Sequence, residues 1–204
     1  APPFGPLLKN DFADFEEVAR TLQNRVLVSW QEHGEQKKAF NERNTFFSEP
    51  EILKIFDIKV VQGNGEKALT DPLHLMLSER TAERYFGNDQ AVGKTLRIGN
   101  TYDLLVSGVF EDFPAQSHWH PELLISFSTH NDSTIYGRRR LETNWGNNSF
   151  STYILVKEPF DPKKTERALP AFLDRHMGPL VGSGAPMPST WTTLFLQKVT
   201  DVHL

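Results

Sequence analysis

The residues typed for chemistry are Gly93-Lys94-Thr95, the pair His118 and His120, and the basic run Arg138-Arg139-Arg140. Gly-Lys-Thr is the tail of a phosphate-binding loop. That loop needs a glycine five residues before the second one, a strand before it and a helix after it. Here Gly87 lies six residues before Gly93, the preceding segment reads as helix and the following one as strand. The tripeptide is therefore read as a turn that opens a hairpin, not as a nucleotide site. His118 and His120 are two apart, which on a strand puts both imidazoles on one face, where they suit a metal. A third ligand has to come from Glu122, His130 or a distant residue, and nothing in the sequence designates one. The plainer reading is the polar end of a strand, with Trp119 packed on its other face. The arginine run suits anionic lipid or an acidic partner; the plainer reading is a solvated loop. Ser78, Ser107, Ser126 and Ser128 lack the strand–turn–helix setting of a nucleophile elbow. No carboxylate pair stands out as general acid and base. No catalytic residue, metal or cofactor is expected.

Composition narrows the classes further. At 204 residues the chain can bury a real core, as one large domain or two small lobes. Hydrophobic content of 38% and charged content of 24% are ordinary for a globular protein. A net charge of −4 gives no reason to expect nucleic acid, whose binders carry a basic stripe. The absence of cysteine excludes disulfides, thiol catalysis and Cys-based zinc sites. No apolar run is long enough to span a bilayer as a helix. A start at Ala1-Pro2-Pro3 and a stop at Leu204 fit a segment excised from a longer chain.

The elements that must position these residues follow from local signals. Residues 1–10 hold three prolines and read as an extended lead-in. Phe12, Phe15, Val18, Ala19 and Leu22 repeat at helical spacing, which predicts a helix from Asp11 to about Leu22. Val26–Trp30 reads as a strand, 31–37 as a turn, and 38–47 as strand only in part. Pro50 opens a short helix to Phe56, and 58–61 is a short strand. Leu73–Leu77 is an apolar run of strand length. Ser78 caps a helix whose Ala82, Tyr85 and Phe86 share one face, and Gly87 ends it. Leu96 and Ile98 alternate with polar partners, Gly99-Asn100 is a hairpin turn, and 102–110 is the return strand. Residues 123–127 and 150–156 read as strands, and 129–144 as a surface loop with a helical turn. Asp161-Pro162 is a strong helix start. The helix presents Ala168, Leu169, Phe172 and Leu173 inward, with a kink or early end at Pro170. A mobile loop over 178–190 and a last strand over 191–199 complete the reading.

The ordered series from Leu77 to His118 resembles the extracytoplasmic core domain of MacB/FtsX-type ABC transporter permeases. It contains Leu77-Ser78-Glu79, Tyr85-Phe86-Gly87-Asn88, Val92-Gly93-Lys94-Thr95-Leu96, Gly108-Val109-Phe110 and Ser117-His118. Weaker pieces flank it. Asn10 through Arg20 is similar to the family's entry helix, Trp145 through Glu158 to its later strand, and Thr200-Asp201-Val202-His203-Leu204 to the point where the chain returns to the membrane.

The expected fold is α+β. Units near both ends of the chain share an antiparallel sheet with helices on one face, and the middle forms a strand-rich insertion. The boundaries are 10–62 with 145–204 for the first lobe and 63–144 for the second. The resemblance makes the first lobe porter-like. It further implies a non-catalytic, periplasmic part of a permease, working with its own transmembrane helices, a cytoplasmic ATPase and a second permease copy. Its partners there would be a periplasmic protein, lipoprotein or peptide, coupled to ATP-driven movement of the helices. Flanking helices would also put both chain ends on one side of the fold, within roughly 25 Å, given helix spacings of about 8–10 Å. An interaction surface is expected from His118, Trp119, His120, Arg138, Arg139, Arg140 and Trp191. Two alternatives stand beside this reading. One is a ligand-binding or sensor module with a pocket of roughly 300 Å³ or more. The other is a metal-dependent hydrolase using His118 and His120.

Overall fold

The computed structural model describes residues 1–114, 116–117 and 119–202. Five helices and eight strands follow in order: α1 (Phe4–Asp11), β1 (Phe15–Glu32), β2 (Glu35–Ser48), α2 (Ile52–Ile55), β3 (Val60–Gly63), β4 (His74–Ser78), α3 (Glu79–Phe86), β5 (Thr95–Ile98), β6 (Tyr102–Phe110), β7 (Leu123–Ser126), α4 (Arg138–Thr143), β8 (Phe150–Val156) and α5 (Pro162–Met177).

All eight strands belong to one mixed sheet. Its pairings close on themselves: β1 joins β2, then β7, β4, β6 and β5 return to β1. β3 adds to the end of β6, and β8 adds to the first half of β1. The β2–β7 and β4–β6 contacts are parallel and the others antiparallel. Strands of the 63–144 segment thus bond directly to those of the flanking segments, at β5–β1 and β7–β2. The middle segment is not a sheet of its own.

Alternation along the strands separates the core. Leu75, Leu77, Leu123, Ile125 and Phe47 pack in one cluster with Ala82, Tyr85 and Phe86 of α3. Their neighbours Met76, Leu124 and Phe46 pack in another with Ile52 of α2 and Trp119. A third cluster joins Leu8 of α1, Phe15 and Val18 of β1, and Leu169 and Phe172 of α5.

The helix expected over 11–22 is a correction: those residues end α1 and begin β1. Phe15 pairs Val156 and Glu17 pairs Leu155, so Glu16 is an extra residue on β1. Such a bulge shifts the period-two alternation by one. Phe15 and Val18 therefore reach the same cluster three residues apart, which imitates helical spacing. Seven pairs with β8 and the long ladder with β2 then decide the conformation over local preference. The lead-in is helical instead, because Pro6 falls in the first turn of α1, where N–H groups have no intrahelical partner. Strand β2 runs through 35–48, longer than its composition suggests, because the His33-Gly34 turn seeds it. Both turn residues have positive φ (51° and 82°), the conformation that matches strand twist.

The module from 73 to 110 forms as its signals dictate. Ser78 Oγ accepts from Thr81 N–H at 3.3 Å, Gly87 ends α3 at φ 65°, and Gly99 and Asn100 turn at φ 57° and 58°. Asp161 caps α5 by accepting from Lys164 N–H at 3.1 Å. Helix α5 runs past Pro170 to Met177, because buried Leu169, Phe172 and Leu173 anchor it on both sides of that proline. Thr165, not Ala168, completes its buried face. Residues 178–190 are tied to α5: Ser189 N–H and Oγ both donate to the Asp174 carboxylate at 2.8 Å. The last strand expected over 191–199 is absent from the sheet, and that segment runs without strand pairing.

Candidate functional site

Among the described residues, strand β8 pairs with β1 alone. Its other edge borders an open cavity of about 1670 Å³. Four parts of the chain enclose this groove. β8 contributes Phe150, Ser151, Thr152, Tyr153, Ile154 and Val156; α5 contributes Lys163, Glu166 and Leu169; α1 contributes Phe4 and Leu8. The segment from Leu194 to Val199 supplies the fourth part. Leu194 packs into the cluster of Leu8, Phe15 and Phe172, and Leu196 N–H donates to Glu166 Oε1 at 3.0 Å. The segment is thereby tethered to α5. Its exposure alternates, with Thr192, Leu194 and Leu196 half-buried between exposed Trp191, Thr193, Phe195 and Gln197. Phe195 is 70% exposed. The other end of the groove is aromatic, with Phe46, Phe113 and Trp119.

The predicted surface residues do not form one patch. Trp119 is buried, stacked on Phe56 at 4.3 Å with Phe46 and Phe113 edge-on at 5.3 and 5.4 Å. It is a core residue with a face on the groove. His120 is half-buried at the groove. His118 lies outside the described residues, so the two-histidine ligand set is not defined by the structure. Among the described residues no group of three His, Asp or Glu side chains is placed to hold a metal. Arg138, Arg139 and Arg140 are exposed on the first turn of α4, beside a smaller cavity of about 340 Å³ that Arg138 helps to line. Trp191 is 58% exposed and lines neither cavity. Lys94 of the Gly-Lys-Thr turn pairs with Asp89 at 3.0 Å and sits over the rings of Phe86 and Trp30, at 4.8 and 5.3 Å. It serves the fold of the hairpin.

Charge inside the fold is neutralised locally. The buried Glu42 carboxylate accepts from Arg84 Nη2 at 2.7 and 2.8 Å and from the Tyr85 hydroxyl at 2.6 Å, which clamps α3 onto β2. Burial, then the Glu42 carboxylate, push the Tyr85 phenol far above its ordinary range. His130 is packed among Phe47, Phe127, Tyr136 and Phe150, and burial, then the charge of Arg20, lower it to about 4. Glu42, Arg84 and Tyr85 do not line the β8 groove, whereas the His130 cluster meets it at Phe150.

Sequence reading missed the groove because its walls come from many separate parts of the chain, among them 1–8, 21–23, 44–46, 78–80, 112–113, 119–122, 148–169 and 194–202. The one available signal was the strand-like alternation after Trp191.

The profile of the MacB-like periplasmic core domain matches residues 3–172. Among solved structures, a domain described as that of a candidate permease protein from Porphyromonas gingivalis superposes with a TM-score of 0.72 at 23% identity, over 86% of this chain and 70% of that one. The periplasmic region of MacB from Actinobacillus actinomycetemcomitans gives 0.61 at 16% identity, over 84% of this chain and 72% of that one. The extracellular domain of the ABC-type transporter YknZ from Gram-positive bacteria gives 0.57 at 15% identity, over 86% and 82%. No curated protein matches. With the family profile covering most of the chain and the same fold in these structures, the chain belongs to the family of MacB-like periplasmic core domains of ABC-type permeases.

Proposed function

We infer that the chain is a non-catalytic extracytoplasmic domain that engages a substrate or partner protein and couples that engagement to ATP-driven movement of membrane helices. One observation carries the reading: described residues near both ends of the chain line the β8 groove. Ala1 and Phe4 line it from one end, and Val199 and Val202 from the other. In a permease, both ends lead toward membrane helices. A displacement of those helices therefore acts first on the walls of the groove, while the closed ring of strands behind it holds its shape. The working partners are the permease helices, an ATPase subunit or domain and a second permease copy. The cargo or effector is a periplasmic protein, lipoprotein or peptide. The 63–144 segment, with exposed Arg138, Arg139 and Arg140, and the 178–190 loop leading to Trp191 present further contact surface under the same reading.

This chain has no cysteine, so in a transporter whose other cysteines have been replaced the introduced thiols are unique. A bis-maleimide joining Ser151→Cys to Phe195→Cys across the groove in the full transporter should stop transport while ATP hydrolysis persists in part. Undiminished transport, with the link verified by mass spectrometry, would contradict coupling through this groove. The size of the cavity also favours a second reading, a small-ligand sensor, since about 1670 Å³ exceeds the roughly 300 Å³ such a site needs. Saturable binding of a small molecule that leaves transport unaffected would favour it.

A further inference from the structure

We propose that helix α4 is a membrane contact, its three arginines binding the anionic phospholipid headgroups of the bilayer that holds the permease helices. The proposal rests on the coupling reading above only for the direction of the membrane, and it names the counterpart of the arginine surface.

The charge on α4 is uncommitted. Arg138, Arg139 and Arg140 are all exposed. Among the described residues none of the three takes part in an ion pair. The nearest acidic groups in sequence are Asp132, whose carboxylate accepts from Thr134 N–H and Oγ1 at 2.8 and 2.7 Å, and exposed Glu142. The chain as a whole carries a net charge of −4. An anionic surface therefore repels the chain in general and attracts it at this helix, which orients the domain.

Helix geometry fits a surface and not a pocket. Leu141 is buried and fixes the inward side of α4. At about 100° per residue, the three side chains before it spread over an arc of about 200°. Guanidiniums that diverge so widely do not converge on one phosphate or one carboxylate. They match anions spread over a plane, and each planar guanidinium suits phosphate oxygens.

Position selects lipid over a protein partner. Two features seat α4 beside the first residues of the chain. Arg138, Leu141 and Glu142 share the cavity of about 340 Å³ with Pro3, Pro6 and Leu7. Trp145, just beyond α4, packs edge-on against Phe4 of α1 at 5.4 Å. In the coupling reading this first segment leads toward a membrane helix, so α4 faces the headgroup layer around that helix. Basic residues next to a membrane-spanning helix are attracted to an anionic leaflet in this way.

The test uses the full transporter, its other cysteines replaced, in lipid nanodiscs. A bimane on Thr143→Cys, exposed and one turn after Arg139, reports quenching by lipids that carry a nitroxide on the headgroup. Quenching should be stronger in discs that contain phosphatidylglycerol than in discs of phosphatidylcholine alone. It should fall back at about 1 M salt, where charges are screened beyond about 3 Å. Each arginine near an anionic surface strengthens attachment about fivefold, so Arg138→Gln, Arg139→Gln and Arg140→Gln together should weaken it about a hundredfold and remove the dependence on phosphatidylglycerol. Lysine at the same three positions should restore the dependence, because the attraction is one of charge. Size-exclusion chromatography checks that the variants assemble, and the lipid and salt comparison on the unaltered arginines decides the matter if they do not. Equal quenching in both lipid compositions, or a dependence on phosphatidylglycerol that survives the glutamine variant, would overturn the proposal. Quenching absent in every composition would overturn it as well, and is the result expected if the arginines serve an acidic protein or a second copy. Absent quenching with transport still stopped by the groove link refutes the lipid contact and leaves the coupling reading standing.

Discussion

His130 carries a pH dependence that depends on its packing, not on any site. It is 2% exposed, and burial lowers it to about 4 from an ordinary value near 6.5. As pH falls below 6.5 the unfolded chain takes up a proton there, while the folded chain does not until about pH 4. Stability is therefore lost through that window as pH falls, and the loss levels off below it. His130→Phe keeps an aromatic ring among Phe47, Phe127 and Phe150 and removes the titration. The difference in unfolding free energy between the two chains, measured in urea from pH 7 to pH 4, should change steadily in favour of the variant. A difference that stays constant with pH would show that His130 does not resist protonation. The same scale explains the Gly-Lys-Thr tripeptide. Its lysine is spent on Asp89 and two rings, as the wrong glycine spacing had suggested.

At the scale of elements, the sequence was legible where each signal acts within its own segment. Ser78, Gly87, Gly99-Asn100 and Asp161-Pro162 place the ends of α3, the β5–β6 hairpin and the start of α5, because caps and positive-φ turns are decided by a few neighbouring residues. Strand β1 was not legible. Its bulge at Glu16 is set by pairing with β8, more than a hundred residues away. Gly63 shows the same dependence on a distant partner. Gly63 lies in β3 opposite Gly108, at φ 89°, with the Ser107 carbonyl where a Cβ would stand. Gly34 has a similar φ of 82° and open space around it. Gly34→Ala should cost about 1–2 kcal/mol from the left-handed backbone alone. Gly63→Ala should cost at least about 2 kcal/mol more, because β3 must also leave β6. Equal losses in denaturant unfolding would mean that β3 is not seated as described.

At the scale of the molecule, six strands close into a ring, and residues near both ends of the chain line the groove beside β8 together with α5. The family and fold class were readable from the ordered motifs of residues 77–118. The groove was not, because it exists only once α1, β8, α5 and the last segment are brought together. Its position gives the account its central claim: movement delivered at the chain ends changes the groove. Nitroxides at Ser151→Cys and Phe195→Cys, on an otherwise cysteine-free chain, report its width directly. In the full transporter, double electron–electron resonance should give two distinguishable distance distributions, one without nucleotide and one trapped with ATP. A single distribution that does not change between the two states, in a transporter shown to hydrolyse ATP and move its substrate, would contradict the claim.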